Sequence, residues 1–306
     1  MPLAGIDQQH LARRNLARMG AVIEVQAPTG HDQRDGDGVA VLGHALARLE
    51  PQADDAHRSA VRDLLEAEGT RLFAHVGCWH VNIIHATGIE GAREARGTVV
   101  VIDVLRSFTV SAYALAGGAR ECRLVRTVAE ARALAERTEG AVICAEEEAL
   151  PVEGIPISNS PTKIRETDLD GKTLVQRSTA GTQVAAEVES ADMFAASLVV
   201  ASATIQACLL RRPRDLTLIA SADHPEDHAC ARFMEALARG DEKPDLHALL
   251  EPFRETERYR RAMSGMWPGF PRTDLDLSLR ADVFDFAMPV VRKAGYLQLT
   301  AERRRG

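Results

Sequence analysis

Between Thr98 and Arg239 short apolar runs alternate with segments of helical period, and polar residues close each run. The clearest run is Thr98-Val-Val-Val-Ile102, which reads as a buried strand with Asp103 where the apolar residues stop. Further strands are expected at His80–Ile84, Glu121–Val125, Ala141–Cys144, Lys172–Gln176, Met193–Val199 and Leu216–Ala220. Helices are expected over Ser107–Ala116, stopped by Gly117-Gly118, and after Thr127, where Thr127-Val-Ala-Glu130 spells a capping box. Others follow Ser178-Thr-Ala-Gly-Thr182, run from Ser202 to Leu210, and run amphipathically from Pro225 to Arg239. Strands and helices in this rhythm specify an α/β fold, a mainly parallel sheet with helices on both faces. Residues 1–78 break the rhythm. They are rich in Ala, Arg, Asp and His, hold the polar stretch Gly30–Gly38, and show weak helical periodicity over Val39–Leu49 and His57–Leu72. The expected organisation is an N-terminal extension, 1–78, mostly helical or irregular, and an α/β domain, 79–306.

In an open α/β sheet, ligands bind beyond the carboxyl ends of the strands. Asp103 and Arg106 follow one expected strand, Glu146, Glu147 and Glu148 another, and Arg177, Ser178 and Thr179 a third. Ser221, Asp223, Glu226 and Asp227 follow a fourth. With parallel strands these groups would share one rim. Carboxylates, an arginine and hydroxyls suit a magnesium-dependent phosphate-ester site, because magnesium takes oxygen ligands and phosphoryl charge needs cationic or N–H donors. The Ser178–Thr182 turn could cradle a phosphate at a helix N-terminus; an ordinary capped helix start explains it as well. Equally, Asp103 could cap the next helix and Arg106 could be solvated.

Composition sets outer limits. A formal charge of -7 argues against a general nucleic-acid or membrane-surface binder, although a local cationic pocket is compatible with it. The cysteines Cys78, Cys122, Cys144, Cys208 and Cys230 are odd in number, widely spaced and without CxxC, so neither a disulfide framework nor a structural zinc site is expected. No signal-peptide core or membrane-length apolar run is present, and the expected location is the cytoplasm. Asp168-Leu-Asp170 precedes a strand and reads as a turn; Cys208 and Arg214 have phosphatase-loop spacing but no glycine between them. His224 and His228 flank a helix start with Pro225 at its first position, which explains their spacing without zinc. Walker, GxGxxG and GxSxG patterns do not occur.

From about His80 to Leu299 the chain resembles the 2-phosphosulfolactate phosphatases. Asp103-Val-Leu-Arg106, Ala145-Glu146, Asn159-Ser160-Pro161, Ser178-Thr-Ala-Gly-Thr182 and Glu226-Asp227 fall in the family's order and spacing, and Asp282 and Pro289 follow. The resemblance implies magnesium-dependent hydrolysis of the phosphate ester of a small sulfonated hydroxy acid, a step of coenzyme M formation in methanogens. It implies Asp103, Glu146 and Asp227 as metal ligands or base, and Arg106 and the Ser178, Thr179, Gly181, Thr182 turn as phosphate holders. Asn159, Ser160 and Glu226 would orient the substrate. The expected partner is a small phosphorylated anion, with a homodimer admitted as the assembly. The chain departs from the pattern at Glu147, where the family has arginine, and at Ala180, Ile155-Pro156 and Arg232. Replacing a cation by Glu147 removes an anion donor, so a different substrate, or a homologue that binds an acidic metabolite or partner without turnover, is the alternative; another lyase or transferase on the same scaffold is a third.

Overall fold

The computed structural model describes Val22–Val25, Ala45–Arg48 and residues 81–303 apart from Glu242. Val22–Val25 (β1) and Ala45–Arg48 (β2) pair antiparallel. The helical pattern over Val39–Leu49 is therefore corrected at Ala45–Arg48, where cross-strand pairing overrides a weak local preference. The polar stretch Gly30–Gly38 and the pattern over His57–Leu72 lie outside the described residues. The chain divides into two compact units, Met1–His80 and Val81–Gly306.

The second unit alternates strands and helices. In order they are β3 (Asn82–Thr87), α1 (Gly88–Glu94), β4 (Thr98–Ile102), α2 (Ser107–Ala116), β5 (Glu121–Leu124), α3 (Val128–Glu136), β6 (Ala141–Glu147), β7 (Leu150–Pro151) and α4 (Pro161–Arg165). There follow β8 (Thr173–Arg177), α5 (Gly181–Glu187), β9 (Met193–Ala196), a 3-10 turn at Leu198–Val200, α6 (Ala201–Leu210), β10 (Asp215–Ala220) and α7 (Pro225–Arg239). Short helices α8 (Leu246–Leu249), α9 (Glu251–Arg254), α10 (Glu257–Met263) and α11 (Thr273–Ser278) precede β11 (Phe286–Lys293), β12 (Tyr296–Leu299) and β13 (Glu302–Arg303). The α/β class and the spans of α2 and α7 agree with the sequence patterns. The capping box at Thr127 forms both of its bonds, Thr127 Oγ1 accepting from Glu130 N and Glu130 returning to Thr127 N.

All five residues of β4 are buried. Successive strand side chains face opposite ways, so both faces of the sheet are covered at this strand. The eleven-stranded sheet runs β3-β10-β4-β9-β11-β12-β5-β8-β6-β7, with β13 on β11. It holds two parallel blocks. One is β3-β10-β4-β9 and the other β5-β8-β6. Between them the β11–β12 hairpin pairs antiparallel to itself and to both neighbours. Three reversals leave the blocks with opposite strand sense. A single shared rim is thus corrected: strand ends gather from two oppositely directed blocks.

Helix α2 joins them. Ser107 to Leu115 are all buried, as expected of a helix enclosed all round. Its polar residues are satisfied internally: Thr109 Oγ1 donates to Val104 O at 2.8 Å and Ser111 Oγ to Gln176 Oε1 on β8 at 2.6 Å. Between α7 and β11, Phe253, Ala262, Trp267, Phe270 and Leu275 form a separate apolar cluster against which Leu105 packs, so this helical cover rests on the turn after β4.

Gly97 opens β4 at φ +70°, and a Cβ there would lie 2.1 Å from Asp215 O on β10. Gly97→Ala is expected to cost at least about 1 kcal/mol from the left-handed backbone alone, and more from the collision. Urea unfolding should show a lower midpoint with an unchanged slope; an unaltered midpoint contradicts this packing.

Candidate active site

Asp103 sits one residue past β4. Its Oδ1 accepts from Ser107 N and its Oδ2 from Gly181 N, both at 3.0 Å. The first bond is the helix-capping role the sequence allowed. The second reaches across to the first residue of α5 in the other block. Gly181 has no Cβ to obstruct it; one would stand 2.6 Å from Oδ2.

Asp227, in the first turn of α7, approaches from the β10 side. Its Oδ1 accepts from Val104 N at 2.8 Å and its Oδ2 from Ser221 Oγ at 3.1 Å. Pro225 opens this helix, where its missing N–H costs no hydrogen bond. Both aspartates are buried. Burial pushes the Asp103 carboxyl up to about 6, with the Glu146 charge adding to it against the Ser107 N–H and Arg258, which act the other way. Burial also raises Asp227 well above the usual carboxylate range, followed by the charges of Asp103 and Glu226. The charge of Asp103 thus opposes the ionisation of Asp227.

Glu146 lies one residue before the end of β6 on the opposing block. Its Oε2 accepts from Ala149 N at 2.6 Å and Thr179 Oγ1 at 2.8 Å, and its Oε1 accepts from Thr179 N. Together with Asp103 it holds the Ser178–Thr182 turn. Thr182 N is satisfied by Ser178 Oγ, and Ser178 N by Thr182 Oγ1. The N–H groups read from sequence as a phosphate cradle at Thr179, Gly181 and Thr182 are thus already engaged by the chain's own carboxylates and hydroxyls. Ser178 Oγ also meets Ser107 Oγ at 3.0 Å, closing the contact between blocks.

Arg106 is brought near these acids, but three of its five N–H donors are already taken. Nη1 donates to Asp274 Oδ2 at 2.6 Å and to Gly269 O at 2.7 Å, Nη2 donates to Ser158 O at 3.2 Å, and the guanidinium lies 4.2 Å from the centre of the Phe270 ring. Asp274 uses its other oxygen on Ser160 Oγ at 2.8 Å and Thr162 N at 3.0 Å. Ser160 also caps α4. Asn159, in left-handed backbone at φ 60°, accepts from Gln176 Nε2 at 3.0 Å. Arg106, Ser158, Ser160 and Asp274 form one buried structural network beside the acids.

Sequence patterns did not single out Arg258, Asp274 or Gln176. Arg258 Nε donates to Glu226 Oε1 at 2.9 Å and Nη2 to Leu105 O at 2.9 Å. Glu226 itself is fully buried. No strand end or motif marks Arg258, which lies in the helical cover. Glu147 is exposed, and Arg177 sits 3.9 Å from it while donating to Glu146 O, so a cation stands at the corner where the family pattern has arginine. His228 pairs with Asp223, and Asp170 N donates to Asp168 Oδ1, the turn expected there. Cys122, Cys144, Cys208 and Cys230 are buried free thiols. Among the described residues no three His, Cys, Asp or Glu side chains are grouped to hold a metal ion, and no helix is long and apolar enough to cross a membrane.

The sequence model of the 2-phosphosulpholactate phosphatase family matches residues 84–258. A probable 2-phosphosulfolactate phosphatase of Bacillus subtilis is 29% identical over 195 residues, 62% of this chain and 86% of the relative. That of Thermotoga maritima is 34% identical over 168 residues, 53% of this chain and 72% of the relative. That of Thermoplasma acidophilum is 30% identical over 187 residues, covering 60% and 81%.

Removing one partner of the buried Arg106–Asp274 pair leaves the other uncompensated, at an expected cost of about 3–5 kcal/mol. Asp274→Ala should lose that much in urea unfolding, and a loss below 1 kcal/mol contradicts the network. Asp103 offers a second check. Its folded value of about 6 lies above the ordinary 3.8, so its stabilising contribution is complete below about pH 4 and is lost as pH rises through about 6. In chelator, unfolding free energy from pH 4 to 7 should decline by up to about 3 kcal/mol more in the wild type than in Asp103→Asn. Identical pH slopes contradict the assignment.

Proposed function

The chain belongs to the 2-phosphosulfolactate phosphatase family, and on that premise we propose that it hydrolyses, with magnesium, the phosphate ester of a small hydroxy acid. It is a phosphoric monoester hydrolase. The observation that carries the finer reading is the pair Asp103 and Asp227, two buried carboxylates held on one turn, Asp103 by Ser107 N–H and Asp227 by Val104 N–H.

This donor set suits magnesium. The ion takes hard oxygen ligands, commonly one or two carboxylates completed by water and phosphate oxygens. Each Asp103 and Asp227 oxygen accepts a single protein hydrogen bond, which leaves acceptor capacity. A divalent cation would relieve the repulsion between them. When bound it supplies charge neutralisation at the phosphoryl oxygens and makes water a better nucleophile.

The chain's own residues set the geometry. Ser107 N–H and Gly181 N–H fix the Asp103 carboxylate; Val104 N–H and Ser221 Oγ fix that of Asp227. Holding ligands through such donors removes reorganisation at the moment of reaction. Glu146 stands across the Ser178–Thr182 turn and completes its acidic side. Arg106 acts here as a strut, setting Asn159 and Ser160 through Ser158 and Asp274. Arg177 beside Glu147 keeps positive charge at the corner where the family arginine is missing, which supports retained hydrolysis.

Purified protein is expected to release phosphate from a panel of phosphorylated hydroxy acids only when magnesium is present. Asp103→Ala and Asp227→Ala should each lower kcat at least about 100-fold, roughly 2.7 kcal/mol of barrier. Metal-saturated protein that releases no phosphate from the panel, or release unaffected by chelator, defeats this reading.

A further inference from the structure

A phosphatase needs a cation on the transferred group, and the arginine that the strand-end motif supplies is spent elsewhere. Asp274, Gly269 O, Ser158 O and the Phe270 ring occupy Arg106, and its side chain is only 3% exposed. Arg258 makes two hydrogen bonds where Arg106 makes three, and it is less enclosed. It reaches the turn after β4 from the helical cover, donating to Leu105 O and to Glu226, the chain neighbour of Asp227. Its side chain is 23% exposed. A guanidinium has five N–H donors. Glu226 Oε1 and Leu105 O take two of them, five less two leaving three, on Nη1 and Nη2. Those atoms form the outer fork that matches two oxygens of a phosphate.

The surroundings of Arg258 are also incompletely satisfied. Glu226 is fully buried, yet its Oε2 has no hydrogen-bond partner among the described residues. Trp267, whose ring centre lies 5.5 Å from the Arg258 guanidinium carbon, buries an unpaired Nε1–H. Buried polar atoms without partners are rare in folded chains. Here an acceptor and a donor are both left open beside Arg258. Glu226 fixes the guanidinium through Nε and so acts as a positioning residue.

We propose that Arg258, and not Arg106, grips the phosphoryl oxygens of the substrate. The assignment rests on the phosphatase reading above. Sequence motifs conceal it, because Arg258 lies 153 residues beyond Leu105, whose carbonyl it meets.

The test uses the full chain with magnesium and two probes, inorganic phosphate and orthovanadate, read both as inhibitors of turnover and by the rise they cause in melting temperature. The thermal readout needs no turnover, so it separates this assignment from the activity itself. Arg258→Ala should weaken both probes at least about 10-fold and lower kcat by about 10²–10³-fold. Arg258→Lys should fall between, and methylguanidine should restore part of the Arg258→Ala activity. Arg106→Lys, if folded, should bind both probes within about twofold of the wild type. Unchanged probe binding in folded Arg258→Ala or Arg258→Lys overturns the proposal, as does loss of binding in folded Arg106→Lys alone. A wild type that binds neither probe and releases no phosphate overturns the phosphatase reading and this assignment together.

Discussion

The carboxylate of Asp103 is the joint on which this fold turns. One oxygen takes the first N–H of α2 and the other takes the first N–H of α5, so a single side chain couples two blocks whose strands run in opposite senses. Hydrogen bonds to a charged acceptor are about twice as strong as neutral ones, and both of these are shielded from water. The contact requires backbone at Gly181, since a side chain there would occupy the place of Oδ2. Ser107, Ser178 and Gln176 then seal the seam with hydroxyl and amide bonds that bury no unpaired group of their own.

A second joint ties the helical cover to the same turn. Arg106 and Asp274 are both buried, which is costly unless every donor and acceptor finds a partner. Here Asp274 serves Arg106, Ser160 and Thr162, and Arg106 also meets two carbonyls and an aromatic face. The Asp-x-x-Arg sequence after β4 thus spends its two charges in different directions. Asp103 joins block to block, and Arg106 joins sheet to cover. From sequence the two side chains share one signal, an acid and a base at a strand end, and nothing in that signal says which of them is occupied.

Local chemistry was legible because its partners lie within a few residues. The Thr127 capping box, the Gly117-Gly118 stop of α2 and the Pro225 start of α7 are all set by neighbours in the chain. The α/β class follows from the same periodicities. Strand direction is different, since it depends on which distant strands pair. The β11–β12 hairpin inserts between β9 and β5, reverses the sense of one block, and leaves no mark in the segments it separates. Asp103, Glu146 and Asp227 are each marked in the sequence because each lies at or near a strand end or opens the helix after one. Arg258, Asp274 and Gln176 are not, because each acts across a long stretch of chain: Arg258 on Leu105, Asp274 on Arg106, Gln176 on Ser107. The turn at Ser178–Thr182 was located by its sequence, but its N–H groups face inward to Glu146 and Asp103, an orientation decided by where those acids arrive.

The acids themselves explain why so much structure is spent on holding them. Two buried carboxylates on one turn destabilise the fold at neutral pH, because burial opposes the charge of both and the charge of Asp103 adds to it at Asp227. The backbone donors at Ser107, Gly181 and Val104 offset only part of that, and they do so at fixed positions. What remains is a negative site that is already oriented and short of positive charge. On the function proposed above, a divalent ion would bring two positive charges to the aspartates and a phosphate ester would bring negative oxygens to Arg258, each side compensating what the other lacks. Each would then favour the binding of the other, which would reconcile an anionic substrate with an overall charge of -7.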